Sequence, residues 1–308
     1  MSGSITLENR FGVNKMELIS LKYAIFVIVL LVLYYCFPKK YRWYVLLAGS
    51  MAYYVIICKW YVLFIIFTIC TTYGSTIWID KLLKEQNVIV KSHKEDWDRQ
   101  TRKEYKEKGR KKRVAVMLFA LLCNFGILAF LKYIPYAGEL GLLLPLGISF
   151  YTFQSMGYVM DVYREIVEPE KNFLKVALFV SFFPQIIQGP IAIYDKLAGQ
   201  LYEGHSLRLE NLQKGALLVL WGVMKKLVIA DRAVNIINFV MDKPMDFSGT
   251  YVFFAAVVYA LQLYADFSGG IDIVRGIAEM FGITMSTNFN HPYISRSLTE
   301  YWHRWHMT

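Results

Sequence analysis

Charge is missing from long stretches of this chain, and that absence decides its class. Five runs, 60–79, 114–131, 141–160, 176–194 and 247–265, contain no Asp, Glu, Lys or Arg. A helix of about 20 residues crosses the hydrocarbon core of a bilayer, and buried helices of soluble proteins rarely need so long an uncharged run. Two shorter runs, 23–37 and 43–58, are also uncharged, and Lys22 can snorkel to the interface from its helix end. Charged residues make up only 19% of the 308 positions, against 56% hydrophobic, a balance that ordinary soluble domains do not show. The expectation is an all-α polytopic integral membrane protein with seven or eight spans and the lipid bilayer as its solvent.

Cysteine is scarce as well. Cys36, Cys58, Cys70 and Cys123 lie within or at the ends of apolar runs, without paired or metal-ligand spacing, so neither a disulfide framework nor a metal site is expected. Phosphate-binding glycine loops are absent. Ser268 lacks the strand, nucleophile and helix setting of a nucleophile elbow, which removes a Ser-His-Asp triad. No A-x-A-like site follows the first apolar run, which is expected to stay as an anchor. With no internal repeat, low-complexity tract or soluble domain, residues 1–308 read as a single membrane domain.

Positive charge is plentiful but concentrated. Of 34 basic residues, 13 fall between Lys81 and Arg113, in a segment flanked by spans. Retention on the cytoplasmic side explains them better than nucleic acid, for which no binding is expected. Counting back through three spans places Lys39, Lys40 and Arg42 inside too and the N-terminus outside. The 81–113 segment is expected as a cytoplasmic loop, either solvated or an amphipathic helix lying on anionic lipid.

Residues 1–131 read as plain transmembrane scaffold. From Gly141 the uncharged stretches contain Pro145, Gly147, Gln154, Gly157, Pro184, Gln185, Gln188, Gly189 and Pro190. Broken or re-entrant helices are predicted there. Backbone of that kind is tolerated at membrane depth only where it is buried in protein or lines a cavity, so function is sought in residues 141–308.

Two constellations there carry chemistry. The stretch NFNHPYISRSLTEYWHRWHMT, 288–308, holds three of the five histidines. A helix from Ser297 puts Glu300, His303 and Arg304 on one face and His303 and His306 at i, i+3. Metal ligation, hydrogen bonding at a membrane interface, and a neutral imidazole acting as general base on a hydroxyl all remain open for these histidines. The second constellation places Asp266 at the end of an uncharged run and Asp272 six residues on. Carboxylates at membrane depth need partners, and Arg275 is the nearest in sequence. The Ser268-Gly269-Gly270 triplet could instead mark a turn out of the membrane.

Five stretches in order, LPLGISFYTFQSMGYVMDVYR from Leu144, FFPQIIQGPI from Phe182, WGVMKKLVIADR from Trp221, the aspartate cluster from Tyr259, and NFNHPYISRSLTEYWHRWHM at the end, resemble the membrane-bound O-acyltransferases. The likeness is to the branch similar to the alginate O-acetylation membrane protein, and residues 1–131 match that family only in hydropathy. The resemblance implies a ring of helices around a tunnel, through which an acyl group from a cytoplasmic acetyl-CoA or similar thioester reaches an extracytoplasmic polysaccharide in the bacterial inner membrane. No bound cofactor is implied, and a separate extracytoplasmic acyl-transfer protein is the implied partner. His306 matches the first of the family's two characteristic histidines and is the catalytic candidate, with Asp266, Asn290, His291, Glu300, His303, Arg304 and Gln188 as supporting or cavity candidates. The second histidine lies further on in the family, so the chain is expected to be C-terminally incomplete and inactive as it ends. A transporter or channel, and a non-catalytic scaffold for a separate acyltransferase, are the rival readings.

Overall fold

A computed structural model describes residues 18–93, 95–134 and 144–307; the N-terminus, 141–143 and Thr308, which enter the expectations above, lie outside them. Among the described residues the architecture is helical, with a single isolated β-bridge between Phe289 and Trp305. The helices are α1 (Leu21–Cys36), α2 (Arg42–Cys58), α3 (Val62–Ser92), α4 (Arg99–Tyr133), α5 (Ile148–Tyr163), α6 (Phe173–Ser181), α7 (Phe183–Gln188), α8 (Tyr194–Glu203), α9 (Leu209–Met224), α10 (Asp231–Met241), α11 (Gly249–Met280) and α12 (Leu298–Arg304). Three stretches, Lys39–Ser92, Arg99–Tyr133 and Gly249–Met280, are long and apolar enough to cross a membrane, and two shorter apolar helices are Leu21–Cys36 and Phe173–Gln188. The chain is a polytopic α-helical membrane protein.

Local chemistry sets most boundaries. Ser20, Asp98 and Asn172 cap α1, α4 and α6 by accepting from the backbone N–H groups of Tyr23, Thr101 and Leu174, which satisfies donors that a helix N-terminus leaves open. Gly282, at φ 81°, closes α11 in a left-handed conformation that costs glycine nothing. The uncharged run 176–194 is broken, as its prolines and glycines predict, into α6, α7 and the extended residues before α8. The freed backbone is satisfied from inside the protein: Ser50 Oγ accepts from Phe183 N–H at 3.1 Å, and the amides of Gln154 and Gln185 donate to the carbonyls of Phe179 and Pro190 at 2.7 and 2.9 Å. Such internal pairing is what membrane depth demands of non-helical backbone.

Two expectations need correction. Of the two forms expected for segment 81–113, the solvated loop falls and a helical one stands: α3 and α4 continue through it as a hairpin, interrupted only between Ser92 and Arg99. Its Lys, Glu, Gln and Arg residues are good helix formers, and Gln86 of α3 is buried where a side chain at Gly109 of α4 would collide with it. Nor do residues 268–270 turn out of the membrane, since α11 runs unbroken through them.

The glycines of α11 serve packing instead. A Cβ at Gly222 of α9 would come 2.5 Å from the Gly269 carbonyl oxygen, and one at Gly215 would come 2.6 Å from that of Gly276. Two helices in antiparallel contact thus meet backbone to backbone at residues seven apart on each. Small residues permit this approach, which within lipid gains chiefly dispersion contacts. Beyond Gly222 the buried stripe shifts by one residue: Ala230 is buried and Ile229 exposed, with Ile237 buried seven residues later. The extra residue is taken up by a π-helical turn over Lys225–Ala230.

Adding a methyl at Gly222 or Gly276 must push backbone apart, so Gly222→Ala and Gly276→Ala are expected to destabilise the detergent-solubilised protein by about 1–3 kcal/mol. Gly74→Ala, where nothing lies within 4 Å, should be neutral or slightly stabilising. Thermal unfolding midpoints of the three variants check both statements.

Candidate functional site

The glycine crossing sets Lys225 and Lys226 beside α11. Lys225 Nζ lies 2.6 Å from Asp272 Oδ2 and 3.4 Å from Ser268 Oγ, and Arg275 Nη1 lies 3.3 Å from Asp272 Oδ1. Lys226 forms an ion pair with Asp266. Adjacent side chains on an α-helix diverge by about 100°, so two consecutive lysines reaching carboxylates of one partner helix require a local change of winding. The π turn that begins at Lys225 supplies it, and such turns recur at functional sites. The side chains of Lys225 and Asp272 are each only 13% exposed, a burial that charges tolerate only when paired and further hydrogen-bonded. The Lys225 ammonium also faces the rings of Trp221 and Tyr264, 5.6 and 6.0 Å away.

Arg275 is therefore a partner of Asp272, as its sequence position suggests, but the nearer partner is Lys225. Neither lysine was singled out as the aspartates' counterion in the sequence. They lie 40 to 47 residues from their carboxylates, and only the pairing of α9 with α11 reveals them.

The C-terminal segment departs further from expectation. Ser297 caps α12 by accepting from Glu300 N–H at 3.1 Å, and Glu300 in turn accepts from Arg296 N–H at 2.8 Å and pairs with Arg304 at 2.7 Å. The Arg296 N–H, more than Arg304, holds the Glu300 carboxyl below the usual carboxylate range. Glu300 and Arg304 thus build the short helix, and His303 is exposed. The helix does not continue through Met307: it ends at Arg304, because the chain pairs instead with residues 288–290. Asn290 N–H donates to the Arg304 carbonyl at 2.9 Å and Met307 N–H to that of Asn288 at 3.0 Å. Trp305 drives this exit by stacking on Tyr301 and packing against Phe289 and Tyr264, with ring centroids 5.6, 5.1 and 6.0 Å away.

His306 consequently leaves the face of His303. It takes a left-handed backbone, φ 56°, and is half-buried with its ring 5.7 Å from that of Phe267. Phe267 follows Asp266, and the Gln188 side chain abuts Gly270 one turn on, so closely that a Cβ there would meet Gln188 Cδ at 2.5 Å. His306 and Gln188 thus each reach α11 within residues 267–270, roughly 27 Å from its N-terminus and 20 Å from its C-terminus at about 1.5 Å per residue, while Asp266 pairs with Lys226 of the π turn. Asn290 and His291 are exposed on the segment that pairs with Arg304–Met307, and His291 also has a left-handed backbone, φ 46°. A pocket between Ile193, Lys196, Thr284 and Ser286 lies on the same segment's approach to α11. Among the described residues no group of His, Cys, Asp and Glu could hold a metal ion.

Fold and site define a helical membrane protein with an ion-paired, glycine-packed helix crossing and a histidine held beside its middle. Over about half of its length the chain is similar to curated O-acetyl and D-alanyl transferases. It is 33% identical over 230 residues to a peptidoglycan O-acetyltransferase of Helicobacter pylori, covering 62% of this chain and 44% of that protein. To a probable alginate O-acetylase of Pseudomonas syringae pv. tomato it is 38% identical over 168 residues, 54% of this chain and 32% of the relative. A teichoic acid D-alanyltransferase of Bacillus subtilis is 27% identical over 169 residues, 53% of this chain and 42% of the relative. No protein-family model matches the chain. The chain spans less than half the length of these curated relatives.

Breaking a buried ion pair by removing one partner costs about 3–5 kcal/mol, whereas replacing both with apolar groups of similar size is often neutral. Asp272→Asn is expected to lower stability by an amount in that range. The double variant Lys225→Met/Asp272→Leu should recover most of the loss, as read from thermal unfolding in detergent.

Proposed function

We propose that the chain forms part of an O-acyltransferase that esterifies hydroxyl groups of an extracytoplasmic cell-surface polysaccharide, using a cytoplasmic acyl thioester such as acetyl-CoA. The observation that carries this reading is the position of His306 beside Phe267, near the middle of α11, in a chain similar to enzymes named for acetyl and alanyl transfer to cell-envelope polymers. The reaction breaks the acyl carbon–sulfur bond and forms an ester bond; the hydroxyl proton passes to an imidazole and from there to the departing thiolate. A neutral His306 orients the acceptor or takes that proton. Asp266, Gln188, Asn290 and His291 shape the cavity around it, while Glu300, His303 and Arg304 support the segment that delivers it. Residues 1–131 serve as scaffold and 141–308 as the acyltransferase region of one membrane domain. The basic hairpin faces the cytoplasm, the N-terminus lies outside, and the protein resides in a bacterial inner membrane. There it hands acyl groups to a separate extracytoplasmic transfer protein.

Two measurements test this reading. In cells making a longer version that extends through the segment expected to carry the second histidine, His306→Ala should accumulate in the membrane at the level of the unsubstituted protein while the acylation rate of the surface polymer falls about 100-fold or more, the scale of lost acid-base help. A fall below about threefold, or loss of the protein itself, would refute the role. For orientation, a cysteine in place of Lys106 should resist an impermeant thiol reagent until cells are lysed, and labelling in intact cells would invert the topology.

A further inference from the structure

The basic hairpin carries a feature that acyl transfer does not use. Several of its charges are neutralised within the protein: Arg110 pairs with Glu107 at 2.8 Å, Arg113 with Glu165 at 2.8 Å, and Lys81 approaches Glu85 at 3.9 Å. Lys108, Lys111 and Lys112 differ. They are exposed and make no ion pair among the described residues.

Their place on α4 is specific. Gly109 and Arg113 face inward, against Gln86 and Glu165. Lys108, Lys111 and Lys112, at i, i+3 and i+4, lie on the outer side and flank of the helix, about 120°, 180° and 80° around from that inward direction at about 100° per residue. About two to three turns beyond Lys112, the same side presents Leu118, Phe119 and Leu122, which are 47%, 60% and 73% exposed. An exposed apolar stripe of a membrane helix faces lipid, so the lysines at its end face lipid too. The uncharged run of α4 begins at Val114, and at about 1.5 Å per residue the three lysines stand some 3–9 Å beyond it. That is the depth of the headgroup layer, about 5–8 Å thick on each side of the hydrocarbon core. Trp78 of α3, 56% exposed, lies two residues inside the first charge of its own helix and suits the same interface.

We propose that Lys108, Lys111 and Lys112 form a binding site for the phosphodiester headgroup of an anionic phospholipid in the leaflet that the hairpin faces. The acyl chains of the lipid lie along Leu118, Phe119 and Leu122. The site stands independently of the acyl-transfer reading. A soluble polyphosphate shares the ligand chemistry, but it has no use for the apolar stripe that continues the three lysines.

Spin-labelled phosphatidylglycerol and phosphatidylcholine, compared around the full chain reconstituted in phosphatidylcholine bilayers, test the site directly. The wild-type protein should restrict the anionic lipid at least threefold more strongly than the zwitterionic one. Lys108→Gln/Lys111→Gln/Lys112→Gln should remove most of that preference. The equal charge loss of Lys91→Gln/Arg99→Gln/Lys103→Gln, at the far end of the hairpin, should leave it. The triple Lys→Arg variant at the three positions should retain the preference and shows that a folded protein with the same charge suffices. Equal restriction of both lipids by the wild type would overturn the proposal, as would equal losses from the two glutamine variants. Release of the anionic lipid by millimolar coenzyme A would assign the lysines to a soluble phosphate instead.

Discussion

Everything in the second half depends on two helix backbones touching. Gly215 against Gly276 and Gly222 against Gly269 let α9 and α11 approach without intervening side chains. A bilayer offers no hydrophobic gain for bringing two apolar helices together, because lipid tails are as apolar as leucine. Contact must come from close-fitting surfaces, and glycine gives the closest. Once the backbones meet, Lys225 and Lys226 lie within reach of Asp272 and Asp266, and the ion pairs become geometrically possible. The same pairs in lipid without the crossing would leave isolated charges at prohibitive cost.

From that contact the organisation spreads outward. α11 is held along one side by α9 and α10 and receives α7 near its middle, where Gln188 reaches Gly270. Aromatic rings of the C-terminal segment pack on Tyr264 and Phe267. His306 is therefore held beside Phe267 by the pairing of its segment with residues 288–290 rather than by a helix of its own. Its left-handed backbone costs about 1–2 kcal/mol relative to an ordinary conformation, and the pairing of 288–290 with 304–307 compensates it. Histidine and asparagine enter this region more readily than most residues, which fits the conformations of both His291 and His306.

The fold class was legible because hydropathy reports directly on solvent: uncharged runs of helix length have few soluble uses. Breaks at Pro184 and Pro190 were legible for the same local reason, since proline removes a backbone donor. What escaped was whatever depended on partners remote in sequence. Gly269 and Gly270 read as a turn because glycine marks turns in water, whereas in lipid it marks contact. The basic segment left loop and helix open, because a charged run suits both, and its packing glycine, Gly109, faces a glutamine of the neighbouring helix that only the tertiary arrangement reveals. The end of α12 was misjudged because no proline or glycine stops it; Trp305 stops it by finding rings to pack on. Asp266 and Asp272 were singled out by residue type and depth and His306 by its place in the family motif, but the neighbours Lys226, Lys225 and Phe267 required the tertiary arrangement.

The π turn between α9 and α10 is in effect a single inserted residue retained in the middle of a contact surface. Upstream, the buried positions Gly215 and Gly222 are seven apart, and downstream Ala230 and Ile237 are seven apart, but eight residues separate Gly222 from Ala230. The two halves of the sequence are thus offset by one residue, and the wide turn brings both buried stripes to the side that faces α11. Gain of one further residue in 225–230, beyond the one that the π turn absorbs, would rotate everything after it by about a quarter turn, bringing Ile229 to the seat of Ala230 and turning Ile237 toward lipid. Chain length in this segment is therefore constrained more tightly than side-chain identity: substitutions at its exposed positions, such as Val228, alter one contact with lipid, whereas a one-residue gain in length alters the entire half-helix.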